Sequence, residues 1–398
     1  MRYVNYLGYV ALLFAFLVHY WIGHGKSWEP TVTFLLAAFA VIPLAHLMGE
    51  ATEHLAERTG PTWGGLLNAT FGNAAELIIA VIAISKGLNP IVKASLTGSI
   101  LGNLLLVAGA AMLVGGWNRE KQIFSKAAAE ANGGLLVVAV AALLFPAIFD
   151  FTFRASDPHF REHEHGISVG TSVILLAVYG LGLLFTLRTH SHIFSPKPAE
   201  SPEEPAGLSG IDHEWSVKRS VIALLLASVG IGVVAELLVG SAEKMAESLG
   251  WNHIFVGVIL LAIIGNAAEH STALLLARRN DMDTAMTISF QSSIQIALFA
   301  TPFLVLISML MLRLNLIRPE HGAPQPLDLI FSPMEVVGVL LSVMIVVIVC
   351  LNGQSNWFEG VLLLAVYCIL GITFFYIPEA TGRGYDVHPA AVAGPTAP

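Results

Sequence analysis

The chain has 398 residues, of which 55% are hydrophobic and only 12% are charged, and its formal net charge is −8. An average soluble protein carries roughly 25% charged residues, so this share is too small to cover a soluble surface of this size. The mean hydropathy of +0.73 agrees. These values exclude a typical soluble enzyme. The twenty Lys and Arg residues also form no basic stripe of the kind that nucleic-acid binding needs, so we expect a lipid bilayer and no nucleic acid as partner.

Long apolar runs rich in Leu, Ala, Val and Ile predict membrane-spanning helices along the whole chain. A spanning helix needs about 20 mostly apolar residues, whereas a membrane barrel shows short alternating segments of about ten. The sequence therefore predicts an all-α integral membrane protein with 11 transmembrane helices, in the inner or plasma membrane of a cell or in the membrane of an acidic organelle. The predicted spans are 5–22, 31–49, 64–85, 91–114, 127–149, 167–187, 219–240, 254–277, 284–312, 333–351 and 357–377.

An internal repeat organises these spans. The string Gly-Asn-Ala-Ala-Glu at 72–76 recurs at 265–269, an offset of 193 residues (265 − 72), and at the same offset Ser99 stands opposite Ser292. The two copies fall in the third and the eighth predicted span. The eighth span lies five positions after the third, and successive spans alternate in direction. Because five is odd, the two repeats have opposite orientations in the bilayer, which is typical of secondary transporters.

The repeat divides the chain into five predicted parts. A leading helix is followed by two inverted five-helix repeats, with an acidic, Pro-rich linker between the repeats and a tail after the second. The parts are 1–25 for the leading helix, 31–187 for the first repeat, 188–218 for the linker, 219–377 for the second repeat and 378–398 for the tail.

Each copy of the repeated string places one carboxylate inside a predicted span. Glu76 and Glu269 are therefore functional candidates, because an ionisable side chain in a membrane is costly. Asn73 and Asn266 lie three residues earlier, a spacing that predicts one shared helix face, and the preceding glycines allow a kink. Two carboxylates and two amides form an oxygen-rich site suited to Ca²⁺, which takes 6–8 oxygen ligands. An alternative is that each Glu–Asn pair only joins helices by hydrogen bonds.

The paired carboxylates also predict a mechanism of exchange. In a medium of low dielectric constant, two neighbouring glutamates cannot both stay ionised without a cation. Either one Ca²⁺ or two protons can neutralise them, so the two kinds of ion compete for one site. No cofactor is expected beyond the transported Ca²⁺ and H⁺.

Other polar residues are candidates for supporting roles. Ser99, Ser292 and Gln295 lie in the helix after each copy of the string, and Ser292 and Gln295 share a face. Ser is also common in the packing of membrane helices, so ordinary packing is the alternative. Acidic residues near helix ends could attract cations toward a pore mouth on each side, or they could simply be solvated helix ends. These residues are Glu50, Glu53, Glu57, Glu236, Glu243 and Glu247.

These motifs resemble those of a known family. Residues 72–78 and 265–270 are similar to the paired signature repeats of the Ca²⁺/H⁺ antiporters, the cation/proton exchanger family, and 292–295 is similar to the polar motif of its second repeat. The stretches 58–62 and 64–70 are also similar. One departure is Ala75, where Thr is frequent in the family.

The resemblance implies a fold, an activity and a set of site residues. The fold is one of eleven helices with a 5+5 inverted repeat. The activity is export of Ca²⁺ from the cytosol in exchange for protons, with sliding of spans 31–49 and 219–240 against the core. Glu76 and Glu269 bind the cation and exchange protons, with the two asparagines assisting and with Ser292 and Gln295 supporting the site.

Three other functions fit the sequence less well. A Na⁺/Ca²⁺ or other divalent-cation exchanger shares the superfamily, but those repeats usually carry a Pro near the Glu, and neither copy has it. An intramembrane metalloprotease needs a motif such as His-Glu-x-x-His, and residues 163–166 do not fit one. A channel is disfavoured by the paired, inverted carboxylates. The expectation is therefore a transporter rather than an enzyme.

Overall fold

The fold is described from a computed structural model, which covers residues 2–23, 25–59, 64, 66–67, 70–194, 215–319 and 322–378. Within the predicted linker 188–218, residues 195–214 lie outside this description. Of the predicted tail 378–398, residues 379–398 also lie outside this description.

The described chain is almost entirely helical. Several helices contain one wider π-helical turn, as at Gly102–Val107 and Val256–Leu261. In chain order the helices are α1 Arg2–Leu17, α2 Glu29–Thr59, α3 Ala74–Ser85, α4 Asn89–Gly116, α5 Lys126–Phe153, α6 Phe160–Thr189, α7 Val217–Leu249, α8 His253–Gly265, α9 Ala267–Arg278, α10 Met282–Arg313, α11 Pro333–Cys350 and α12 Trp357–Phe375. A π-helical turn, Val18–Ile22, continues α1, and a four-residue helix, Ser191–Phe194, follows α6. Two short strands, β1 Gln122–Ile123 and β2 Gln354–Ser355, pair antiparallel and join two interhelical loops.

Most of these helices can cross a membrane. Across the described ranges, eight helices are long and apolar enough to do so, and α8 with α9 makes a ninth if the bent pair is one span. Two shorter apolar helices, Val10–Ile22 and Ala74–Ser85, accompany them. Large apolar side chains such as Phe151, Leu181 and Leu226 stay exposed on the outer helices, which suits contact with lipid. The prediction of an all-helical, multi-pass membrane protein is confirmed.

Local sequence signals explain where several helices begin and end. The Ser216 hydroxyl accepts a hydrogen bond from the Arg219 amide at 3.2 Å and so caps the start of α7, as N-cap serines do. Gly250 ends α7 in the left-handed conformation, with φ of 67°, which favours glycine. Ser332 and Glu335 form a reciprocal capping box at the start of α11, a common signal for the start of a helix.

Two close helix contacts determine where the candidate site lies. Helices α2 and α7 pack against each other, and α7 also packs on α3. Helices α4 and α8 cross so closely that a Cβ on Gly98 would collide with the backbone of Val258, and a Cβ on Gly257 would meet Ala94. Small residues allow this approach. It brings Ser99 on α4 beside the end of α8.

Candidate functional site

The helix breaks once in each copy of the repeated string. Asn73 is the residue before α3, and Asn266 separates α8 from α9, which are bent by 61°. Glu76 and Glu269 therefore lie in the first turn of a helix. The predicted kink is present in α8–α9. The shared helix face stays a prediction, because each Asn is the capping residue immediately before the helix that carries the Glu.

A helix start is a favourable place for a carboxylate. The first four backbone amides of a helix have no partner within it, and the helix dipole is positive at this end. Both effects lower the cost of holding Glu76 and Glu269 ionised inside the protein. Neither asparagine uses its side chain to cap the helix that follows it, so both amides remain able to reach other helices.

The second break is held by several hydrogen bonds. The Ser292 hydroxyl on α10 donates to Glu269 Oε2 at 2.5 Å. Asn266 Nδ2 donates to Ser99 Oγ on α4 and to the Ala262 carbonyl, both at 2.9 Å. Asn266 Oδ1 accepts from the Asn103 amide at a longer 3.5 Å. This break is therefore tied to helices of both predicted repeats.

The first break is held more loosely. Asn73 Nδ2 donates to Gln295 Oε1 on α10 at 2.8 Å, while Asn73 Oδ1 is buried and finds no hydrogen-bond partner among the described residues. The Glu76 side chain lies beside the second break, since a Cβ on Gly265 would stand 3.5 Å from Glu76 Oε1. Each break thus contacts residues of the other predicted repeat, as a site shared between repeats requires.

Glu76 also lines a small cavity of about 20 Å³, which is room for about one water molecule. The polar part of its lining is Glu76 with Ser95 and Ser99. From there the lining is apolar and follows α3 to Ala83, with Val239 of α7 beside it. The cavity therefore extends from the candidate site toward the end of α3.

The side chains that could bind a cation at this site are few, and their donor atoms are oxygens. Glu269 acts on Glu76 by charge repulsion. Within the described ranges, no group of three or more His, Cys, Asp and Glu side chains is arranged so that it could hold a metal ion. An ion that binds between the two glutamates would depend on carboxylate, amide and hydroxyl oxygens, which suit a hard cation such as Ca²⁺.

The predicted cation-attracting carboxylates lie at the edges of the bundle. Glu53, Glu57 and Glu247 are exposed, and Glu50 and Glu243 are half-buried. The sixth, Glu236, forms an ion pair with Lys86, in which Glu236 Oε1 is 2.8 Å from Nζ. Sequence reasoning missed Lys86, because only the fold brings the end of α3 beside α7.

Sequence reasoning also missed a buried ionic cluster near the start of α4. Lys93 Nζ lies 2.5 Å from Asp328 Oδ1 and donates to the Ile330 carbonyl at 2.7 Å. The Thr97 hydroxyl donates to Glu335 Oε1 at 3.3 Å. The spacing Ser-x-x-Glu at 332–335 is a capping signal that could have located one member. The cluster fixes the extended segment before α11 against α4.

A helical, multi-pass bundle in which two broken helices bring paired carboxylates together defines a membrane transporter. Comparison with known proteins gives the particular family. The sequence profile described as "Sodium/calcium exchanger protein" matches residues 29–188 and 219–376. The chain belongs to this family.

Named relatives support the assignment over nearly the full chain. The chain is 42% identical over 363 residues to the Ca(2+)/H(+) antiporter of Aphanothece halophytica, covering 90% of this chain and 93% of that protein. It is also 42% identical over 363 residues to the Ca(2+)/H(+) antiporter of Synechocystis sp., with 89% and 94% coverage. The solved structure of native YfkE superposes with a TM-score of 0.74 at 35% identity, covering 94% of this chain and 100% of that one. The predicted resemblance is confirmed.

Proposed function

We propose that this protein is a secondary active antiporter that moves Ca²⁺ out of the cytosol in exchange for H⁺. One observation carries the proposal: two first-turn glutamates, Glu76 and Glu269, stand at paired helix breaks, and the Glu76 carboxylate lies beside Gly265 at the second break. The relatives named Ca(2+)/H(+) antiporter support the choice of ions. Transport of ions needs no cofactor and no bond-making chemistry.

The binding site of the proposal consists of Glu76, Glu269, Asn73 and Asn266. One Ca²⁺ between the carboxylates removes their repulsion, and Asn73 Oδ1, which has no partner among the described residues, is available as a further ligand. When Ca²⁺ leaves, protons neutralise the carboxylates, because two charges at low dielectric are costly. The site is thus either loaded with Ca²⁺ or protonated, and only these neutralised forms change the side from which the site is accessible.

Three polar residues support this site in the proposal. Ser292 holds Glu269 by its hydroxyl, Gln295 accepts from Asn73, and Ser99 accepts from Asn266. Each of these bonds fixes the rotamer of a proposed ligand. A preorganised ligand loses less entropy when the ion binds.

We further propose eleven spans, arranged as a leading helix and two inverted five-helix repeats. The two stretches matched by the family profile, 29–188 and 219–376, support this division. Helix α3 with the helical residues before Gly72 then forms one broken span, and α8 with α9 forms its counterpart. Val10–Ile22 lies in the leading span.

The alternative is Na⁺/Ca²⁺ exchange, which the description of the family profile names. A transport assay with purified protein in sealed liposomes distinguishes Ca²⁺/H⁺ exchange from Na⁺/Ca²⁺ exchange. We expect a pH gradient to drive Ca²⁺ uptake with sodium absent, and Ca²⁺ addition to release protons. Uptake that needs a sodium gradient and ignores the pH gradient would establish the alternative instead.

A further inference from the structure

The ion pair between Lys86 and Glu236 joins the end of α3 to the middle of α7. Lys86 follows the last residue of α3, the helix that carries Glu76. Its Nζ lies 2.8 Å from Glu236 Oε1 and 3.3 Å from the Glu236 carbonyl on α7. One lysine therefore holds both the side chain and the backbone of a single turn of α7.

A glycine on α7 leaves the space that the Lys86 ammonium group occupies. A Cβ on Gly240, one turn after Glu236, would stand 3.2 Å from Lys86 Nζ. Any larger side chain there would crowd the ammonium group. The ammonium thus lies in a notch of α7 with a carboxylate on one side of it.

The α3 side of the pair is firmly anchored. The Arg318 amide donates to the Ser85 carbonyl at 2.7 Å, and Gly87, with φ of 76°, lies directly against Pro319. Lys86 between them is thus attached to a fixed turn. Motion that breaks the pair would therefore be motion of α7 relative to this turn.

The pair lies one helical turn beyond the cavity that Glu76 lines: Lys86 follows the lining residue Ala83 by three positions, and Glu236 precedes the lining residue Val239 by three. Along α3 the lining residues Glu76, Ile79, Ala80 and Ala83 share one helix face, and Val239 is the lining residue contributed by α7. The next turn of that face carries Lys86. Residues of α4, α8 and α10 form the remaining walls. A route to Glu76 between α3 and α7 passes the pair, which joins the two helices there and places the positive charge of the lysine beside the route.

We propose that Lys86 and Glu236 are a positioning pair that latches α7 over the α3 end of the cavity, and that release of the latch opens Glu76 to that side. This inference rests on the proposed antiport function. The exposed fractions of the two side chains are 27% and 59%, so solvent screens the attraction. A pair of this exposure shifts a conformational equilibrium by about two- to fivefold, which suits a latch that must open in every cycle.

Cysteine accessibility in the full-length purified protein tests the latch. Ala83→Cys, in a Cys368→Ser background, reports on the cavity by its rate of modification with a maleimide. We expect Lys86→Gln and Glu236→Gln each to raise this rate by about two- to fivefold. Lys126→Gln is the matched control, because Lys126 forms an exposed pair with Glu130 on α5 at 3.6 Å, away from the cavity.

Two more variants separate the ion pair from a general loosening of the fold. Lys86→Arg should keep the original rate, and the exchanged pair Lys86→Glu with Glu236→Lys should bring the rate back toward it. Equal rates of maleimide modification in Lys86→Gln and Lys126→Gln would overturn the latch. So would an exchanged pair whose modification rate stays as high as in the single variants. The labelling needs no transport, so a failure of pH-driven uptake in the unmodified protein counts against the proposed function and not against the latch.

Discussion

The two helix breaks have the same five-residue sequence but different surroundings. The amide of Asn266 makes three hydrogen bonds, to Ser99, to the Ala262 carbonyl and from Asn103. The amide of Asn73 makes one, to Gln295, and its oxygen is buried without a partner in the described chain.

This difference indicates a division of roles between the repeats. A buried oxygen without a partner is costly, and such a group in a native structure calls for an explanation. A cation that binds to Asn73 Oδ1 supplies one. The Asn266 side chain is already satisfied by protein groups, so we assign it mainly to holding the second break and Glu269 in place within the site, while the Asn73 oxygen is free to bind the ion directly.

The largest expected effect comes from removing either charge. Glu76→Gln and Glu269→Gln should each reduce pH-driven Ca²⁺ uptake in liposomes to background, because a single carboxylate can neither balance Ca²⁺ nor exchange two protons. Glu130→Gln, which removes an exposed carboxylate on α5, should leave uptake unchanged. If both glutamine variants kept exchange, the assignment of the site would be wrong, and if only one did, the two breaks would differ even more than their hydrogen bonds suggest.

The two glutamates could be predicted from the sequence because charge is rare in this chain and the string around them occurs twice. Their distinct surroundings could not be predicted in this way. Whether Asn73 meets Gln295 or Asn266 meets Ser99 depends on how α4 and α10 cross the breaks, and the tight crossing at Gly98 and Val258 leaves no periodic signal. The same holds for Lys86, whose partner lies 150 residues away.

Substitution of the asparagines should give the next largest effect. One variant should mainly lose stability, and the other should mainly lose Ca²⁺ affinity. Asn266→Ala removes three hydrogen bonds from a buried site, so we expect a loss of about 2 kcal/mol in stability, seen as a lower thermal unfolding midpoint in detergent. Asn73→Ala removes one hydrogen bond and one proposed ligand, so Ca²⁺ affinity should fall about tenfold with a smaller loss of stability. Equal losses of stability and of affinity in both variants would contradict the division of roles.

Substitutions of Ser292 and Ser99 should differ in their effect on Ca²⁺ binding by a smaller margin. Ser292 donates to a carboxylate, Glu269, and a hydrogen bond to a charged group contributes about 1.5–3 kcal/mol, against about 1 kcal/mol for a neutral one. Ser99 accepts from a neutral amide. Ser292→Ala should therefore weaken Ca²⁺ binding more than Ser99→Ala does, when both are measured by titration of the purified protein.

The pH dependence sharpens the comparison of the serines. The Ser292 hydroxyl stabilises the ionised form of Glu269, so protons compete more strongly with Ca²⁺ once it is removed. The loss of affinity in Ser292→Ala should be larger at low pH than at high pH. In Ser99→Ala the loss should change little with pH, and a similar pH dependence in both variants would contradict a direct role for the Ser292 hydroxyl.

The smallest expected effect tests whether the space between the two breaks is used by the ion. A methyl group on Gly265 would lie 3.4 Å from Glu76 Cγ and 3.5 Å from its Oε1, a normal van der Waals contact that the fold can accept. It would nevertheless fill space beside the carboxylate that Ca²⁺ or its water needs. We expect Gly265→Ala to weaken Ca²⁺ binding a few-fold with unfolding unchanged. Gly338→Ala is the control, because its methyl group would meet only apolar side chains, the nearest at 3.7 Å. Equal affinities in the two variants would mean that the ion lies away from Gly265, nearer to the oxygen of Asn73.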